Sequence, residues 1–304
     1  MGKRELNESA QSHPYWGKNI QSSASLDTFS IRDEGSREMN PLLPFIVSGG
    51  ANTERYYFKH LSEISIYKFN LIPEYFGEES NYTSRFPSII DKIRKANPDA
   101  LIFCVFDMDN VVTDAKCISK HNVFLKKMDG KAIICPSMPS IEYWFLLHFS
   151  DDKRLLKKWG EISRILAPYI RPCFLNPTGQ NLKDLLKKEK NVSDKTWVER
   201  LCADNKLDLA IRRAEENIVS AIQSNTLYNQ SYTFVYRVFT LYQLYMNGDW
   251  KQQKVSCYTN ERCPEVPNIC AKKRTSTKKT LLNGHNLAKG ESRENTASFA
   301  ETKQ

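Results

Sequence analysis

Apolar and polar positions alternate with two different periods in the first half of the chain. Leu42 to Val47 is an apolar run that meets Ser48-Gly49-Gly50, which predicts a strand followed by a tight turn. From Ala51 to Ile64 the apolar residues Tyr57, Leu61 and Ile64 recur at helical spacing. Tyr67 to Phe76 is rich in aromatic and β-branched residues and reads as a strand, with Pro73 favouring an edge or a bulge. Ser84 to Ala96 predicts a helix with Ile89, Ile90 and Ile93 on its inner face. Leu101 to Phe106 is a buried strand, Ala115 to Lys127 a helix and Lys131 to Cys135 a short strand. The order β-α-β-α-β-α-β is that of an α/β domain with a largely parallel sheet.

Ser140 offers a cap for the most apolar helical run, Ile141 to Phe149. The pattern then turns helical throughout, with segments near Lys153–Leu166, Leu182–Lys190, Lys195–Cys202, Lys206–Gln223 and Tyr232–Met246. After Trp250 the periodicity is lost. The organisation expected is a polar arm over 1–40, an α/β domain over 41–150, a helical region over 151–250 and a disordered basic tail over 251–304.

Composition adds less. The 304 residues carry a net charge of +9, consistent with an acidic partner such as nucleic acid but equally with solubility. Of the eight cysteines, none forms a C-x-x-C pair, and the set reads as reduced thiols of a cytoplasmic protein. The polar amino terminus lacks the apolar core of a signal peptide, and no run reaches the roughly 18 apolar residues of a membrane span.

The sharpest chemical signal is Phe106-Asp107-Met108-Asp109. Two carboxylates at the carboxyl end of a buried strand stand where open α/β sheets place ligands. Their mutual repulsion is relieved by a hard divalent cation, Mg2+ or Mn2+. The bland alternative is a strand end that caps the next helix. Ser48-Gly49-Gly50-Ala51-Asn52-Thr53-Glu54 is neither a Walker loop nor a dinucleotide fingerprint. Its glycines permit close approach to a phosphate, while Asn52 or Thr53 serves as a helix cap in the simpler reading. Glu54 suits either the helix dipole or a metal site shared with Asp107 and Asp109. Glu142 and His148 lie six residues apart, about 120° around a helix, so spacing alone does not bring them to one pocket. The Lys and Arg residues between Lys153 and Lys195, interleaved with Trp159, Tyr169, Phe174 and Trp197, suit a nucleic-acid track or a solvated face.

Three of these elements, in this order, resemble the RloB family of bacterial abortive-infection and restriction-associated proteins. Gly49-Gly50-Ala51-Asn52-Thr53-Glu54-Arg55-Tyr56-Tyr57-Phe58 is similar to that family's E-G-x-x-T-E-x-x-Y-F element, and Phe106-Asp107-Met108-Asp109 to its F-D-x-D. Ser140-Ile141-Glu142-Tyr143-Trp144-Phe145-Leu146-Leu147-His148-Phe149 is similar to its Pro-x-Phe-Glu-x-Trp-x-Leu-Leu-His-Phe, and Asn229 to Tyr236 more weakly to N-P-S-T-x-V. The likeness runs from about Pro44 to Leu244. It implies a Toprim-like sheet flanked by helices, with a helical carboxyl-terminal half. It further implies magnesium-dependent cleavage of DNA or RNA in anti-phage defence, alongside a partner protein of the same defence system. Asp107, Asp109 and Glu54 would hold the metal, Glu54, Asp107, Glu142 and His148 would serve catalysis, and Gly49, Gly50 and Thr53 would approach the phosphate. The family's first-strand glutamate is taken to fall at Ser48, a departure that favours the rival reading, a non-catalytic module that binds nucleic acid or a nucleotide and acts through a partner.

Overall fold

The structure is a computed structural model and describes residues 40–50, 52–73, 82–111, 114–250 and 263–267. All but the last residue of the expected arm over 1–40, Cys257, Cys270 and the expected tail over 251–304 lie outside the described residues, apart from the short stretch 263–267.

Four strands follow the expected βαβ grammar: β1 (Phe45–Ser48), β2 (Asn70–Pro73), β3 (Ile102–Asp107) and β4 (Ile133–Met138). They alternate with α1 (Thr53–Ile64), α2 (Tyr82–Ala96) and α3 (Ala115–Met128). All four strands are parallel, and with β5 (Tyr232–Thr233) the sheet order is β2-β1-β3-β4-β5. β2 is the edge strand, the position that tolerates Pro73. β5 (Tyr232–Thr233) joins antiparallel to β4, so the helical half contributes a strand where an unbroken helix over Tyr232–Met246 was expected. Hydroxyl pairing explains it: Ser137 and Thr233 meet at 2.7 Å across the register, and α10 (Tyr236–Met246) begins beyond them.

Each face of the sheet has its own aromatic core. Phe106 of β3 stacks on Tyr82 and meets Phe86 and Phe124, which joins α2 and α3 on one face. On the α1 side Tyr57 packs against Phe145 and Trp197 and accepts a 2.8 Å hydrogen bond from Trp144 Nε1. Trp144 and Phe145 lie in α4 (Glu142–Leu147), and Trp197 lies in α8 (Thr196–Cys202). Between them run α5 (Trp159–Ile170), α6 (Leu182–Lys187) and α7 (Glu189–Val192), and α9 (Lys206–Gln223) follows. Residues 40–250 belong to one compact unit, with the α/β and helical parts sharing a core.

The aromatics between Trp159 and Trp197 are largely structural. Phe174 and Trp197 are buried and stacked on each other, and Tyr169 stacks on Phe149, so this interleaving is not a free ladder for bases. Cys104 and Cys135 are buried thiols in the central strands, outside any disulfide, as their apolar runs suggest.

Candidate functional site

The sheet order reverses between β1 and β3, since the chain leaves β1 toward β2 on one side and returns to β3 on the other. Ligands of open α/β sheets bind outside the carboxyl ends of the strands at such a reversal. The sequence-marked carboxylates are at this place. Asp107 ends β3, and its Oδ1 accepts a 2.9 Å hydrogen bond from the Ile141 N–H at the start of α4. The Met108 and Asp109 N–H groups donate to the Pro139 carbonyl at 3.0 and 2.9 Å, so the ends of β3 and β4 are knitted together. That knitting brings the Asp107-Met108-Asp109 turn beside Glu142.

Glu54 reaches the same place from the β1 side. A β-carbon on Gly50 would overlap the Glu54 carboxylate, so the glycine makes room for the side chain to fold back over the turn. A β-carbon on Gly49 would meet nothing within 4 Å. Ser48, by contrast, is inside β1 and buried, paired with Pro73 and Val105. Counted back from Thr53-Glu54, the glutamate of E-G-x-x-T-E falls on Gly49, with Gly50 as the motif glycine. The departure from the family pattern therefore sits at Gly49, where the structure leaves open space, and not at Ser48.

Burial and like charge act together here. Desolvation, and then the charges of Glu54 and Glu142, push the Asp107 carboxyl well above its usual range. Glu54 is raised by burial and by Glu142, with Lys187 opposing. Asp109 is half-buried and raised mainly by desolvation, with Glu142 adding to it. Glu142 is fully buried, yet its carboxyl is held below the ordinary value. Desolvation is outweighed by Lys187 and by the Ser140 hydroxyl, which donates to Oε2 at 2.5 Å. Ser140 thus serves Glu142 and does not cap α4, which begins without a side-chain cap.

Lys187 is the residue that sequence reasoning missed. It stands at the end of α6, and its ammonium lies 2.9 Å from Glu142 Oε1, an oxygen with no other hydrogen bond. Burial disfavours the ammonium, but the charges of Glu142, Glu54 and Asp107 outweigh it and raise its pKa. In the sequence it is one lysine in a run from Lys183 to Lys195, and nothing marks it out. Its place beside Leu186, on the edge of the buried Leu182-Leu185-Leu186 stripe, is the faint signal available.

His148 and Thr53 take other places. The His148 ring is buried, its Nδ1 bonded to the Trp144 carbonyl at 3.0 Å and its Nε2 4.0 Å from Cys202 Sγ. Burial pushes its pKa down to about 3, so it is a neutral core residue whose described partners exclude the carboxylates. The Thr53 hydroxyl donates to the Leu186 carbonyl at 2.6 Å, and the Asn52 amide to the Lys187 carbonyl at 2.7 Å, so neither side chain caps α1.

An all-carboxylate donor set of Glu54, Asp107, Asp109 and Glu142 fits a hard cation in chemistry, with Glu142 Oε1 already paired to the Lys187 ammonium. Among the described residues, however, no three acidic, His or Cys side chains stand close enough to form a ready ligand set. Lys187 supplies the positive charge in this arrangement.

The fold and site together define a doubly wound α/β protein with an acidic cluster at its strand reversal. A family model described as RloB-like protein matches residues 44–240, and the chain belongs to that family. No curated protein and no solved structure matches it. Among the described residues no helix is long and apolar enough to cross a membrane.

Proposed function

We propose that this RloB-like protein is a magnesium-dependent phosphodiesterase acting on nucleic acid, in bacterial anti-phage defence. The observation that carries the reading is that Glu54, Asp107, Asp109 and Glu142 lie within one another's electrostatic influence at the strand reversal, with Asp107 tied to the start of α4 through the Ile141 N–H. Asp107, Asp109 and Glu54 would hold the cation. A bound magnesium would neutralise charge on the phosphate and lower the pKa of attacking water. Glu54 would serve as the third ligand or, where Asp107 and Asp109 hold the cation alone, as the general base that takes the proton from that water. Lys187, kept protonated by its neighbours, offers a fixed positive charge to the phosphate and not a base. Lys187 belongs to the same constellation of elements that Asp107 joins through α4, which supports one site rather than two.

The test is cleavage of plasmid, single-stranded DNA and total RNA with magnesium or manganese, by wild type and by Asp107→Ala/Asp109→Ala. Metal-dependent cleavage that disappears in the variant, with the fold intact by circular dichroism, is the expected result. Equal cleavage by the variant would sink the reading. A second reading is a non-catalytic module that binds nucleic acid or a nucleotide and acts through a partner protein. It is favoured by the missing carboxylate at Gly49, and binding of these substrates without cleavage would support it.

A further inference from the structure

α6 and α7 are attached to α1 by a row of polar contacts. The Thr53 hydroxyl and the Asn52 amide donate to the carbonyls of Leu186 and Lys187, at 2.6 and 2.7 Å. One turn on, the Tyr56 hydroxyl donates to Glu189 Oε1 at 2.5 Å, and one turn beyond that His60 Nε2 lies 2.9 Å from the Val192 carbonyl. Residues 52, 56 and 60 recur every four positions, so they form one stripe along α1. The last carbonyls of a helix have no partner within it. Asn52 and Thr53 satisfy two of these at the carboxyl end of α6, and the second belongs to Lys187 itself.

The same short segment therefore does two things. Glu54 carries a carboxylate of the cluster, and the two residues before it grip the backbone that carries the cluster's cation. We propose that Asn52 and Thr53 are positioning residues: by capturing the end of α6 they hold the Lys187 ammonium at the Glu54–Asp107–Glu142 cluster. This inference rests on the reading of that cluster as the functional site. It gives the Thr-Glu step of the loop a physical reason, one residue for the cation's backbone and the next for the anion.

A double-mutant cycle tests it, because residues that act through one another do not add. Thr53→Val keeps the shape and removes the donor, Thr53→Ser restores it, and Lys187→Met keeps the alkyl stem without the charge. Urea midpoints are measured for each variant and for Thr53→Val/Lys187→Met. The expected result is a shift from Thr53→Val that shrinks by at least half when Lys187 is already Met, with Thr53→Ser close to wild type. Fully additive shifts would overturn the proposal. Asn52→Asp, which also loses the donor, repeats the cycle if Thr53→Val fails to fold. Manganese titration at pH 8 gives the second readout. Thr53→Val and Lys187→Met should each tighten binding several-fold by removing a competing cation, and the double variant should go no further than Lys187→Met. Looser binding in Thr53→Val than in wild type would contradict the proposal. Absence of manganese binding in wild type would fail the reading of the site, while the urea cycle would still decide the role of Asn52 and Thr53.

Discussion

Replacing Lys187 by Met leaves the Glu142 carboxylate fully buried with its Ser140 hydrogen bond and no cation. Removing one partner of a buried ion pair costs about 3–5 kcal/mol, because the remaining charge is stranded. Lys187 is 38% exposed, so water already screens one end of the pair and can enter when the ammonium is gone. Discounted for that screening, the expected loss is about 1–2 kcal/mol at pH 7. Glu142→Gln removes the other charge but keeps an oxygen for Ser140, and the lysine head moves into water. Its cost should stay below about 1 kcal/mol. The asymmetry is the point: the lysine substitution must hurt more than the glutamate substitution. The pH dependence follows in sign. In wild type the Glu142 pKa is held below its unfolded value, so its contribution is present above about pH 4.3 and is lost as pH falls through the folded value. The Lys187→Met deficit should therefore be full at pH 7 and shrink in acid, where Glu142 takes up a proton. Urea unfolding at pH 7 and pH 4 measures both. A Glu142→Gln variant destabilised as much as Lys187→Met at pH 7 would mean that no stranded carboxylate lies behind the lysine's effect.

Other expectations concern the rest of the cluster. Asp107→Asn keeps the acceptor for the Ile141 N–H while removing a partly buried like charge, so it should stabilise the protein by about 1 kcal/mol at pH 8. Asp107 is raised in the folded state, so its destabilising effect grows as pH rises above the unfolded value of about 3.9; thermal melts of the two proteins should diverge with rising pH and converge near pH 4. Gly50→Ala forces the Glu54 carboxylate aside and should weaken manganese binding about tenfold or more by calorimetry, whereas Gly49→Ala should leave it unchanged. Gly49→Glu, whose β-carbon would meet nothing within 4 Å, should tighten manganese binding if the family's carboxylate belongs there.

Much of this fold is legible because burial writes it into the period of the sequence. The β3 run from Ile102 to Phe106 is buried throughout, as its unbroken apolar character requires. Ile89, Ile90 and Ile93 are the inner face of α2. β5 was hidden because two residues carry no period, and its pairing rests on hydroxyls at Ser137 and Thr233 that any loop also contains. Asp107, Asp109, Glu54 and Glu142 were readable as chemistry, since carboxylates at strand and helix ends are conspicuous against an apolar frame. Lys187 was not, because only tertiary packing distinguishes one lysine from its solvated neighbours. Polar residues beside the site misled in the opposite way. Ser140, Asn52 and Thr53 have the character of helix caps but spend their hydrogen bonds on Glu142 and on the end of α6. His148 stands in the motif with Glu142, yet its offset of about 120° around the helix sends it into the core against Trp144.

Metal binding by the carboxylates at the strand reversal is read by calorimetric titration of magnesium and manganese into the wild-type protein and into Asp107→Ala/Asp109→Ala. A site built from these carboxylates predicts saturable binding in wild type that disappears in the variant. Failure of wild type to bind either ion, or unchanged binding by the variant, would contradict the account.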